Sequence, residues 1–204
     1  MAAFLLDGPK HASVTLVLAH GAGAPMDSDF MNVFAAGIAA AGLRAARFEF
    51  PYMTKRREDG KRRPPERAQV LLEFYLDVVR ELGAENLVIG GKSMGGRIAS
   101  MIADEAGVAG LVCLGYPFHP PGKPEKLRTD HLMELKTPTL ILHGERDPFG
   151  RREEVSAYNL STSIQVQYLS DGDHDLKPRK VSGRTREQNW EAAIAALVSF
   201  AKGL

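Results

Sequence analysis

One cysteine in 204 residues leaves no disulfide available within the chain. Cys113 lies in the apolar run Leu111-Val112-Cys113-Leu114, where a lone thiol reads as buried and inert. Long hydrophobic runs are also missing, so no segment approaches membrane-spanning length. The chain has little excess charge of either sign. Lys plus Arg number 26 against 25 Asp plus Glu, a net charge of +1, which removes the global electrostatic reason to expect nucleic acid or a membrane surface as partner. The stretch Met1-Ala2-Ala3-Phe4-Leu5-Leu6-Asp7 lacks a basic region and has too short an apolar run for a secretory signal, so a cytoplasmic location is expected. Internal repeats and long linkers are absent too. With 44% hydrophobic and 25% charged residues, the composition suits one globular domain spanning residues 1–204.

What is present alternates. Val14 to Ala19 is a continuous apolar run of the kind buried on both faces of a sheet, and it ends in the loop His20-Gly21-Ala22-Gly23-Ala24-Pro25. A helix from Asp29 to about Ala41 follows, with Asp27 or Ser28 as cap and Gly42 as stop. Arg44 to Phe50 reads as a second strand and residues 51–67 as a loop. Pro64 and Pro65 then open a helix from Glu66 to Leu82. Further strands are expected in the apolar run that opens at Leu87 and at 111–114, 139–143 and 164–169. Helices are expected at 95–106, near 130–135, around 151–159 and at 186–202, the last carrying Trp190. This alternation predicts an α/β fold with a doubly wound, mostly parallel sheet of about six strands and helices on both faces.

The most informative stretch is Leu87-Val88-Ile89-Gly90-Gly91-Lys92-Ser93-Met94-Gly95-Gly96-Arg97. Gly91-x-Ser93-x-Gly95, with a strand before it and a helix after, fits a nucleophile elbow. A side chain at either flanking glycine would collide with a neighbouring strand or helix in so tight a turn. Two nucleotide-binding readings fail. A P-loop ending in Gly91-Lys92-Ser93 would need glycine at Asn86, and a dinucleotide fingerprint from Gly21-Ala22-Gly23 would need it at Met26.

Three polar residues follow predicted strands in chain order: Ser93, Asp147 and His174. In a parallel sheet such positions collect at the carboxyl edge, where function concentrates. A serine hydroxyl becomes a competent nucleophile when a histidine takes its proton. A carboxylate fixes the tautomer of that histidine. Glu145, Asp171, Asp173 and Asp175 compete with Asp147 for the last role. His20 and His143 read as loop braces, and the Asp173-His174-Asp175 cluster lacks partners at metal-ligand spacing, so no metal is expected.

Together Gly91-Lys92-Ser93-Met94-Gly95-Gly96, the loop after His20, Asp147 and His174 resemble the α/β-hydrolases, in which the order Ser…Asp…His occurs. More narrowly, His20 to Met31, Phe48-Glu49-Phe50-Pro51-Tyr52-Met53 and Asp173-His174-Asp175-Leu176-Lys177-Pro178 resemble a small lidless group near the dienelactone hydrolases. That group contains testis-expressed protein thirty and its bacterial relatives. The resemblance covers about Val14 to Leu204. It implies a minimal α/β-hydrolase fold without a cap domain, with only a vestige of the usual initial hairpin before Val14. It also implies a cofactor-free serine esterase or thioesterase with Ser93 as nucleophile, His174 as base and Asp147 as orienting acid. The backbone N–H groups of Met94 and Ala22 would be the oxyanion donors.

Lys55 to Arg67 holds seven basic residues against three acids. It reads as a solvated loop or, alternatively, as a segment overhanging the site that attracts an anionic substrate, with Lys92, Arg151, Arg152, Lys177, Arg179 and Lys180 adding to that field. Nucleic-acid binding through it is disfavoured because aromatics are not interleaved. Only 24 residues separate Leu114 from Thr139, too few for a lid, so an open site walled by Tyr116, Phe118 and Phe149 is expected. A hydrolase-fold interaction protein with little or no activity is the rival reading.

Overall fold

The computed structural model describes residues 2–204; Met1, part of the N-terminal stretch read above, lies outside the described residues. Among these residues seven strands form one sheet: β1 (Phe4–Asp7), β2 (Thr15–Ala19), β3 (Arg44–Phe48), β4 (Leu87–Lys92), β5 (Gly110–Leu114), β6 (Thr139–Gly144) and β7 (Ile164–Leu169). Their spatial order is β1-β3-β2-β4-β5-β6-β7. All neighbours are parallel except β1, which runs antiparallel to β3 with Phe4 opposite Phe48. The expectation of about six strands therefore gains one. Four residues with Leu5 and Leu6 exposed carry little apolar pattern, so this edge strand is set by pairing rather than by its own sequence.

Among the described residues six α-helices accompany the sheet, the last of them following β7: α1 (Asp29–Ala40), α2 (Pro51–Asp59), α3 (Ala68–Leu82), α4 (Met94–Ala106), α5 (Arg152–Val155) and α6 (Arg186–Lys202). Side chains alternate across the pleat and divide the core in two. Val17, Ile89, Leu111 and Ile141 face α3 and α4, whereas Leu16, Leu18, Val88, Val112 and Leu142 face α1 and α6. On the second face Phe30 stacks on Phe34 with centroids 4.5 Å apart, and Trp190 meets Phe30 edge-on at 5.2 Å. On the first, the buried Tyr75 hydroxyl lies 2.8 Å from the Val17 carbonyl and accepts from the Gly90 N–H at 3.0 Å.

Five local readings are corrected. Residues 51–67 are not all loop, since Pro51 occupies the first turn of α2, where its missing N–H costs nothing. The dense charge of that segment hides a helix whose buried residues are Tyr52 and Met53. The next helix begins at Ala68 rather than Glu66, and α5 and the turn at Asp130–Leu132 are shorter than expected. Ser28 occupies the N-cap of α1 without a side-chain capping bond.

Candidate active site

The β4–α4 turn places Ser93 at φ 51° and ψ −113°, a left-handed conformation that a non-glycine residue holds only under constraint. The flanking glycines permit it. A Cβ on Gly95 would lie 2.5 Å from the Ala19 carbonyl oxygen, and one on Gly91 would strike the same oxygen. Both collisions are with the end of β2, one strand over.

From this turn a hydrogen-bonded relay runs inward. Ser93 Oγ is 2.8 Å from His174 Nε2, and His174 Nδ1 is 2.8 Å from Asp147 Oδ2. Asp147 is fully buried, and its other oxygen accepts the Phe149 N–H at 2.9 Å. Burial pushes its pKa up, but the His174 hydrogen bond, neighbouring imidazoles and this N–H together hold it below the ordinary carboxylate value. An ionised Asp147 requires the proton of His174 on Nδ1, leaving Nε2 to accept from Ser93. The Phe149 ring lies over the imidazole, centroids 4.2 Å apart.

The rival carboxylates are engaged elsewhere. Glu145 pairs with Arg152, Asp171 with Arg146 and Arg179, and Asp175 with Lys92, while Asp173 accepts the N–H groups of Asp175 and Lys177. A second serine–histidine contact, Ser100 Oγ to His131 Nε2 at 2.8 Å, is of another kind. Ser100 is buried in mid-helix with its hydroxyl bonded to the Arg97 carbonyl, and no carboxylate orients His131 among the described residues.

The loop after β2 is fastened from several sides. His20 Nε2 accepts the Phe50 N–H at 3.2 Å, so its Nδ1 carries the proton and donates to the Gly21 carbonyl at 2.7 Å. Burial lowers the pKa of His20, in keeping with this neutral form. Tyr52 donates to the Ala22 carbonyl at 3.0 Å and Arg56 to that of Gly23 at 3.1 Å. Arg57 bridges Glu49 and Asp27, and Glu49 also accepts the Met26 N–H. Sequence reasoning missed this bracing role of α2; the one available signal was Phe48 to Met53 among the segments of resemblance, to which no task was assigned.

A cavity of about 580 Å³ opens beside Ser93 and His174. Its walls include Ala22, Phe30, Phe149 and Trp190, with Lys177 and Arg186 among its cations. Met94, as the first residue of α4, carries one of the N–H groups that a helix cannot satisfy itself. Tyr116 and Phe118 do not wall the cavity. Both are fully buried and packed on each other, because the chain turns inward after β5 and Tyr116 spends its hydroxyl on the Arg128 carbonyl. No residue of 55–67 lines the cavity either, since Arg56 and Arg57 point at the back of the glycine loop. Arg151, Arg152 and Arg179 line a different depression. Among the described residues no cluster of His, Cys, Asp and Glu could hold a metal ion, and no helix is long and apolar enough to cross a membrane.

Comparison with solved structures finds the same fold in a dienelactone hydrolase from Anabaena variabilis, at 21% identity and TM-score 0.71, covering 94% of this chain and 88% of that one. It recurs in an α/β serine hydrolase homologue from Coxiella burnetii, at 19% identity and TM-score 0.70, covering 96% and 89%. A serine hydrolase without lid from Xanthomonas campestris matches at 16% and 0.70, covering 98% and 87%. The family model for the alpha/beta hydrolase domain matches residues 12–202. The chain belongs to the α/β-hydrolase family.

Proposed function

We propose that this chain is a single-domain, cofactor-free serine hydrolase that cleaves a carboxylic ester or thioester through an acyl-enzyme. The observation that carries the reading is the unbroken relay from Ser93 through His174 to Asp147, with both links at 2.8 Å. Ser93 Oγ attacks the substrate carbonyl carbon as its proton passes to His174 Nε2. The negative charge that develops on the carbonyl oxygen is met by the N–H groups of Met94 and Ala22. Preorganised donors of this kind contribute about 3 kcal/mol each to the transition state. Collapse of the tetrahedral intermediate expels the alcohol or thiol, which takes the proton from His174. Water, deprotonated by the same imidazole, then releases the acid and restores Ser93.

The apolar wall of Phe30, Phe149 and Trp190 suits a hydrocarbon or aryl portion of the substrate. Arg186 is already paired with Asp29 and Glu187, so Lys177 is the lining cation that favours a substrate carrying a negative charge away from the scissile bond. Matched neutral and carboxylate-bearing esters compared at low salt test that preference, and equal turnover of the two would remove it.

Labelling with a fluorophosphonate probe tests the reaction itself. Wild type is expected to label, and Ser93→Ala and His174→Ala are not. A folded wild type that stays unlabelled overturns the hydrolase reading in favour of an interaction protein built on the same scaffold.

A further inference from the structure

Lysine is almost never fully buried unless its charge is partnered. Lys92, the last residue of β4 and the neighbour of Ser93, is only 8% exposed. Its ammonium donates to the main-chain carbonyl of His174 at 2.8 Å, pairs with Asp175 Oδ1 at 3.2 Å and sits 5.4 Å from the centroid of the Phe30 ring. Burial lowers its pKa, opposed by Asp175 and, farther off, by Asp147 and Asp173. A surface ion pair does not account for this placement, because the Asp175 side chain is itself 67% exposed and could be met by a solvated cation.

The loop that carries His174 has little regular structure, yet three successive carbonyls in it each accept a side-chain donor. Lys92 takes that of His174, Trp190 Nε1 that of Asp175 at 2.8 Å, and Asn189 Nδ2 that of Leu176 at 2.8 Å. The last two donors come from α6. Only Lys92 comes from the element that bears the serine. The end of β5 leaves room for it, since Gly115 has φ +68° and a Cβ there would lie 2.8 Å from the His174 carbonyl oxygen and 3.3 Å from Lys92 Nζ.

We infer that Lys92 is a positioning residue, tying the backbone of His174 to the strand that carries Ser93 so that imidazole and hydroxyl stay in register. The inference rests on the proposed roles of Ser93 and His174. A displacement of about 1 Å at a reacting group can cost about a hundredfold in rate. The Lys92→Met variant keeps the length and apolar stem but cannot donate. Lys92 also lines the cavity, where the methionine stem keeps its apolar surface, so on a short aryl ester kcat is expected to fall by about a hundredfold and KM to change far less.

The downfield proton resonance of His174 Nδ1–H, assigned by its loss in His174→Ala, is expected to shift or broaden in Lys92→Met. A lysine that merely stabilised the fold would lower the thermal midpoint and leave both the kcat/KM split and this resonance alone. Wild-type kcat together with an unmoved resonance overturns the inference. Should Lys92→Met fail to fold, Lys92→Gln carries the test, since its side chain is one atom too short to hold the same contact to the His174 carbonyl; the same split and the same spectral change are expected, and their absence overturns the inference. The resonance can be read whether or not esters are turned over. An inactive wild type therefore counts against the hydrolase reading and leaves the Lys92 contact separately measurable.

Discussion

At the scale of single residues, the site depends on which polar atom faces which. Asp147 is buried against His174 while the four rival carboxylates, Glu145, Asp171, Asp173 and Asp175, are spent on arginines, a lysine or backbone N–H groups. Asp147→Asn keeps the shape but favours the wrong imidazole tautomer, so kcat on an aryl ester is expected to drop by about ten-thousandfold. Glu145→Gln, which alters the contacts to Arg152 and to the Asp171 N–H but none to His174, is expected to leave kcat within a few-fold of wild type. Equal losses in the two variants would show that the orienting acid has been misassigned. Position after the fifth predicted strand favours Asp147 in the sequence, but the choice is physically made by distance, which depends on how the β6 and β7 loops pack.

At the scale of elements, α2 links sequence to site in a way the sequence conceals. Its composition is charge-dominated and proline-flanked, and it becomes a helix because Tyr52 and Met53 bury against the sheet while Arg56 and Arg57 find acceptors on the facing loop. Tyr52→Phe removes the hydroxyl that donates to the Ala22 carbonyl. It should lower kcat several-fold and cost about 1 kcal/mol in urea unfolding, a typical net hydrogen-bond contribution. Unchanged kcat would mean that the loop holds its shape without α2. Tyr75 in α3 gives the contrasting case. Its hydroxyl accepts the N–H of Gly90 inside the core, so Tyr75→Phe is expected to cost about 1–3 kcal/mol of stability through an orphaned buried group and to leave the site intact.

Over the whole molecule, buried histidines make stability depend on pH. Burial lowers the pKa of His20, His131 and His143 from the ordinary 6.5. Between those lowered values and 6.5 the unfolded chain binds protons that the folded chain does not, so stability is full above about pH 6.5 and falls as the pH drops through that window. Asp147 and Asp104 are shifted below their usual value in the fold, and the stability they contribute is lost in a second step below about pH 4. Thermal unfolding followed from pH 8 to pH 3 should show both declines. A midpoint unchanged between pH 7 and pH 5 would show that these imidazoles are not held neutral.

The amino-acid sequence by itself determined the alternation of the central strands and helices, and the elbow. A β-branched apolar run calls for burial on both faces, and a strand-to-helix turn as tight as Gly91-x-Ser93-x-Gly95 calls for glycine at both flanks. Those are local consequences of residue type. Only the tertiary structure decided that Phe4–Asp7 completes the sheet, that Tyr116 and Phe118 turn into the core, that Asp147 meets His174, and that Lys92 is buried beneath the His174 backbone. Each of these depends on groups distant in sequence, from β3 opposite β1 to the His174 loop beside β4. Their partners are fixed by how strand ends and loops pack together, and no local pattern of residues encodes that.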